Sequence, residues 1–305
     1  MKVVNVKDLA QVTIGISVAI GYFDGMHLGH QQVITCGVVN GKVHGLKSVV
    51  ITFDKSPKMV LGHSKEEGAI TPTSEKVRLL ASMGVDYVLI LPFDEALLAM
   101  SPEEFIEKYL IRLNAQYVSV GFDFRFGHLG AGDVNLLKQQ QEFTLAVTSK
   151  AAVKGVKVST TDIKEKLKAG DLEGAAFLLG RPFTVSGRVI SGKKLGRTIG
   201  FPTANLQLDS GYLMPLRGVY HTVAVIEGRR YLSMTNVGTN PTVEKGEVLH
   251  IETHIFDFDY DVYEKEMRLE FVSKIRNEMK FPNLDALVKQ LEQDKKFVKN
   301  LQIEA

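Results

Sequence analysis

The sequence predicts an α/β amino-terminal half followed by an antiparallel, all-β carboxyl-terminal half with a closing helix. Three observations carry this reading. At 305 residues the chain exceeds the roughly 100–200 residues of one ordinary core, so two domains are expected. Up to about residue 180, short β-rich runs alternate with helical patterns, the order of βαβ units and a parallel sheet. Beyond that point strand patterns follow one another without helices, separated by glycine-bearing turns, as in a barrel or sandwich.

In chain order, "ISVAIGYF" leads into "HQQVITCGVVN", "KSVVITF" into "TSEKVRLLASMG", "DYVLILPF" into "SPEEFIEKYLIRLN", and "QYVSVGFDF" into a longer loop-rich segment. Thr73 or Ser74 is expected to cap the second helix. Ser101, with Pro102 at the first helical position and Glu104 at the third, marks the start of the next. The segment "TDIKEKLKAGDLEGAAFLLGRPF" reads as two short linking helices ending near Gly180 and Pro182, which sets the expected domains at 1–182 and 183–305. "FTVSGRVI", "GVYHTVAVI", "RRYLSMTNVG", "VLHIETHIFDF" and "MRLEFVSKI" are the strands of the second half. Leu284, Leu287, Val288, Leu291 and Val298 then recur at helical spacing near one face.

The composition sets limits. With 37 basic against 35 acidic residues the formal charge is only +2, so no strong field favours polyanions and nucleic acid is not an expected partner. No run approaches the ~20 apolar residues that span a bilayer, and the amino terminus lacks the pattern of a signal peptide, so a cytoplasmic protein without a membrane partner is expected. Cys36 is the one cysteine, which excludes an internal disulfide framework and argues against a thiolate-rich zinc site.

Four stretches carry candidate chemistry. In "GYFDGMHLGH", residues 21–30, Gly21, Phe23, Asp24, Gly25, His27, Gly29 and His30 lie between a strand and a helix. Backbone amides and the positive helix end there point at whatever sits over the sheet, and the imidazoles can donate to phosphoryl oxygens. A glycine-rich turn with two surface histidines has the same spacing, whereas a zinc site lacks further ligands. In "VSVGFDFRFGHLGAGD", Asp123 lies among Phe122, Phe124 and Phe126, a set suited to an aromatic ring system; phenylalanines alternating into a core would read alike. In "SGKKLGRTIGFPTANL", Gly192, Gly196 and Gly200 with Lys193, Lys194 and Arg197 form a basic loop able to wrap a polyphosphate, or a solvated basic hairpin. Thr203 and Asn205 follow as hard oxygen donors suited to Mg²⁺. Finally, alternation along "VLHIETHIFDF" sets Glu252 between His250 and His254, as a candidate base or a polar residue facing water.

Taken together these motifs resemble the bacterial bifunctional riboflavin kinase/FMN adenylyltransferases, also called FAD synthetases, over nearly the whole chain. That family's F-D-G-x-H-x-G-H loop is matched by Phe23 to His30, its S-S-T-x-I-R-like stretch by "STTDIK" with Ser159, Thr160 and Lys164, its G-F-P-T-A-N by Gly200 to Asn205, and its glutamate strand at Glu252. The resemblance implies a Rossmann-like nucleotidyltransferase domain with a parallel sheet, then a six-stranded antiparallel β-barrel kinase domain. It also implies riboflavin, FMN, FAD and ATP as ligands and Mg²⁺ as cofactor. By it, His27, His30, Ser159, Thr160 and Lys164 meet ATP in the first domain, and Asp123, Phe124 and Phe126 lie at the flavin side. In the second, Gly192, Lys194, Gly196, Arg197 and Thr198 cover ATP, Phe201 meets flavin, Thr203 and Asn205 hold Mg²⁺, and Glu252 is the base. Two departures fall in the first domain: Ser56 replaces a histidine of F-x-P-H-P, and Lys164 stands where arginine is usual. They leave a rival, a monofunctional riboflavin kinase with a regulatory first domain. A homo-oligomer is compatible with the sequence.

Overall fold

The structure, a computed structural model, describes the chain except for residues 7, 9–13, 57–67, 154, 193–194, 210, 243–245 and 302–305. It divides into two compact units, Met1–Thr160 and Thr161–Ala305. The division falls earlier than the expected boundary after residue 182. The linking helix Leu172–Leu179 packs on the barrel strands, and the Leu167 carbonyl of the helix before it accepts from the Leu216 amide at 3.0 Å.

In the first unit β1 (Lys2–Val4), β2 (Ile16–Ile20), β3 (Lys47–Phe53), β4 (Tyr87–Leu91), β5 (Ala115–Gly121) and β6 (Thr144–Thr148) form one sheet in the order β1-β4-β3-β2-β5-β6, with every neighbouring pair parallel. The apolar runs of β2 and β3 are buried because both faces of the sheet are covered. Val33, Ile34 and Leu80 pack on one side, Phe105, Tyr109 and Leu110 on the other. From β2 the chain steps through β3 to β4 on one side, then crosses to β5 on the other. The crevice at the carboxyl ends of β2 and β5 is therefore the topological switch point, and residues 21–27 and 122–133 both emerge there.

Ser101 makes the expected capping box with Glu104, at 3.1 and 2.8 Å. Thr73 and Ser74 do not cap: Pro72 precedes the helix Thr73–Ser82, and both residues lie inside it. The short strands β1 and β6 and the pair β7 (Ala152–Val153) and β8 (Val156–Lys157) are absent from the sequence reading, being set by pairing at an edge rather than by an apolar run.

The second unit contains β9 (Phe183–Ile190), β10 (Ala204–Leu208), β11 (Gly218–Ile226), β12 (Arg229–Thr242), β13 (Gly246–Ile255) and β14 (Glu266–Arg276), closed in the order β10-β13-β12-β11-β14-β9. All six pairings are antiparallel. A chain of hydroxyls crosses the interior, Thr222 to Ser233 and Thr235 at 2.8 Å and Thr235 to Thr253 at 2.9 Å, and this satisfies four buried polar side chains. The helix Leu284–Leu301 covers the outer face with Val298 against Phe201, Met234 and Phe256. Arg276 anchors that helix by pairing with the buried Asp294 at 2.8 Å.

Candidate active sites

The loop after β2 is a strained turn. Phe23, Gly25 and Met26 all have positive φ, at 54°, 82° and 46°. Gly25 adopts this conformation freely, whereas Phe23 and Met26 are held in it by burial of their side chains. The turn delivers His27 as the N-cap of the helix Leu28–Val43, where its Nδ1 accepts from the His30 amide at 3.2 Å. The two imidazoles stack with centroids 3.6 Å apart, and His30 meets Phe23 edge-on at 5.4 Å. Burial pushes His27 down to about 4 and His30 well below its usual value, the latter helped by the neighbouring His27 and Lys76. Both rings are thus neutral near pH 7. Since the Nδ1 of His27 accepts, its proton sits on Nε2. The Nδ1 of His30 is buried without a partner among the described residues.

Asp24 is buried and accepts from the Thr71 amide at 3.0 Å, and the Thr160 hydroxyl reaches the Asp24 carbonyl at 3.4 Å. The "STT" stretch is thereby tied to the loop at Thr160, next to Ser159. Lys164 lies on the helix Thr160–Ala169, in the second unit. Across the switch point, the exposed Asp123 raises the His27 pKa by its charge. Two residues that sequence reasoning missed complete the loop: Lys76 Nζ donates to the Tyr22 carbonyl at 2.6 Å and to the Thr52 hydroxyl at 3.2 Å.

In the barrel, register decides the site. Glu252 on β13 lies opposite Asn205 on β10 and Asn236 on β12, so the three side chains share one face of the sheet. Thr253 points inward to the hydroxyl chain, so this face is the outer one. His254, two residues on, donates from Nδ1 to the Pro202 carbonyl at 2.8 Å and fixes the backbone just before Thr203. Gly192 lies against the Asn205 amide, where a Cβ would collide with it. The stretch expected as an open loop contains a single helical turn, Leu195–Thr198, with Arg197 and Thr198 exposed and the Gly196 carbonyl accepting from the Phe201 amide at 2.8 Å. Lys193 and Lys194 lie outside the described residues. Asn236 escaped the sequence reading because its strand carries no motif; only pairing sets it beside Glu252.

The aromatic residues of the two flavin expectations differ in exposure. Phe126 is 5% exposed and packs on Phe105 in the core, while Phe201 is 3% exposed and packs with Val298 of the carboxyl-terminal helix. β5 ends at Gly121, and the phenylalanines beyond it occupy a loop rather than alternate along a strand. Phe124 stacks on Phe126 at 5.5 Å, and Phe122 is 49% exposed.

Comparison with known proteins follows the same division. A family model described as FAD synthetase matches residues 10–162, and one described as riboflavin kinase matches residues 179–302. The bifunctional riboflavin kinase/FMN adenylyltransferase of Bacillus subtilis is 38% identical over 282 residues, 91% of this chain and 89% of its own. The Escherichia coli K12 protein of the same description is 37% identical over 285 residues, 92% and 90% of the two chains. Among solved structures, a Streptococcus pneumoniae protein described as a macrolide-efflux protein matches with a TM-score of 0.88 at 32% identity, covering 98% of this chain and 99% of that one. Among the described residues of the present chain, no helix is long and apolar enough to cross a membrane.

Proposed function

Because the chain belongs to the bifunctional riboflavin kinase/FMN adenylyltransferase family, we propose that its two ATP-dependent steps are divided between the parallel sheet and the barrel. The protein phosphorylates riboflavin to FMN and adenylylates FMN to FAD. The observation that carries the division is that the two family matches fall one on each compact unit.

In the barrel, Glu252 takes the proton of the ribityl hydroxyl as its oxygen attacks the γ-phosphorus and ADP leaves. Thr203 and Asn205 offer a hydroxyl and an amide carbonyl, with Glu252 in register beside Asn205; this hard-oxygen donor set fits Mg²⁺, whose remaining ligands come from substrate phosphates and water. When bound, the ion neutralises charge on the transferring phosphoryl group. Gly192, Gly196, Arg197 and Thr198 belong to the segment that covers ATP, with Lys194 beside them in sequence.

On the parallel sheet, a phosphate oxygen of FMN attacks the α-phosphorus of ATP, and the bond to the bridging oxygen breaks to release pyrophosphate. That nucleophile is already anionic and needs no strong base, so the protein stabilises charge. The start of the helix Leu28–Val43, the Nε2–H of His27 and the Nε2 of His30 face the phosphates, with Gly21, Phe23, Asp24, Gly25 and Gly29 shaping the turn. Ser159, Thr160 and Lys164 contribute to ATP binding, and Asp123, Phe124 and Phe126 form the flavin side, with Phe201 meeting flavin in the barrel.

The test is separation. A fragment of residues 161–305 is expected to make FMN and no FAD. The 183–305 fragment asks whether the kinase needs its two leading helices. A 161–305 fragment that folds cooperatively but does not phosphorylate riboflavin sinks the division.

A further inference from the structure

With residues 21–30 read as the ATP phosphate site, one buried charge in that unit has no role. Lys76 lies on the helix Thr73–Ser82, on the same face as the buried Leu79 and Leu80, and is only 2% exposed. Burying an ammonium is costly unless its donors are used. Its Nζ donates to the Tyr22 carbonyl at 2.6 Å and the Thr52 hydroxyl at 3.2 Å, and it sits 4.4 Å from the Tyr22 ring centroid. The Thr52 hydroxyl donates to the same carbonyl at 3.1 Å. Tyr22 is the last residue before the left-handed turn opens at Phe23. A strand end and a helix thus converge on the carbonyl from which the strained turn departs.

The loop also needs a charge. His27 and His30 are neutral, so they offer dipoles to a triphosphate but no full positive charge. Lys76 is close enough to act on His30 electrostatically.

We infer that Lys76 is a positioning residue of adenylyl transfer: it holds the Tyr22 carbonyl so that His27 and His30 stand at the helix start, and it sets a fixed positive charge behind the phosphate loop. The inference rests on the reading of residues 21–30 as the ATP site. Burial pushes the ammonium down to about 8, against the opposing pull of Asp24 and Asp54. The groups that face it are Tyr22, Asp24, Asp54 and His30. Tyr22 is pushed up to about 12 and His30 well below neutrality, so neither accounts for a change near pH 8.

The experiment uses the full chain with Mg²⁺, ATP and either FMN or riboflavin, so that riboflavin phosphorylation is the internal control. Lys76→Met is expected to lower kcat/KM for FAD formation on the order of 10²-fold while leaving FMN formation unchanged. Lys76→Arg, which keeps charge and donors, is expected to recover part of the loss. In the wild-type enzyme kcat/KM for FAD formation should fall above about pH 8, since this parameter reports the free enzyme, and the fall should move to higher pH in Lys76→Arg. FAD formation close to wild type in Lys76→Met, with His30→Ala inactive, overturns the role of Lys76. Full activity in His30→Ala means instead that the loop is not the ATP site. Should Lys76→Met fail to fold, the wild-type profile decides, and the absence of an alkaline fall specific to FAD formation rejects the inference.

Discussion

The two sites act on the same co-substrate with opposite materials. The proposed sheet site holds buried titratable groups, two stacked imidazoles and an ammonium, whose pKa values desolvation lowers. The proposed barrel site is built from two amides and a carboxylate in β-ladder register, with the hydroxyl of Thr203 just before the strand. The sheet provides a helix start and a switch-point crevice, so its charge stabilisation is assembled from dipoles and groups behind the loop. A barrel wall provides no helix start at these residues, and the proposed site offers instead a row of polar side chains. Pairing across strands aligns such a row without further support.

The strongest test of this contrast is Glu252→Gln, which keeps shape and removes the base. FMN formation should drop on the order of 10²–10⁴-fold while FAD formation from supplied FMN is unchanged. Near-normal phosphorylation would make Glu252 a mere polar strand residue. His30→Ala is the mirror experiment, expected to cost on the order of 10²–10³-fold in FAD formation and to spare the kinase.

A third prediction concerns acid. His27 titrates at about 4 in the folded chain against about 6.5 unfolded, so its contribution to stability is full above 6.5 and is lost as pH falls toward 4. The loss amounts to about 2–3 kcal/mol, and a His27→Gln variant should lack it. Denaturant melts between pH 7 and 4 that show the same slope for both proteins would contradict the burial argument.

Smaller effects sharpen the comparison. His254→Gln weakens the hold on the Pro202 carbonyl and should cost about 1 kcal/mol of stability, with a several-fold rise in the KM for ATP of the kinase step alone. Ser56→His restores the family's histidine, and FAD formation should stay equal or become faster. A large loss in that variant would show that the site has adapted around the serine.

Much of this was legible in the residues. The capping box at Ser101, the strand run "ISVAI", the change of pattern near residue 180 and the motif loops are local signals, carried by spacing within a few residues. The same locality marks what stayed out of reach. Phe126 and Phe201 sit beside motif residues, and their contacts with Phe105 and with the carboxyl-terminal helix come from segments distant in sequence. Lys76 carries no motif, and only the sheet brings Tyr22 and Thr52 against it. Asn236 became a neighbour of Glu252 only through the register of β12 on β13. Periodicity and chain chemistry by themselves determined which segments are strands and helices and which loops carry donors. Which donors are buried, neutral or aligned was decided by the tertiary structure alone, because desolvation and cross-strand register depend on groups that meet only when the chain has folded.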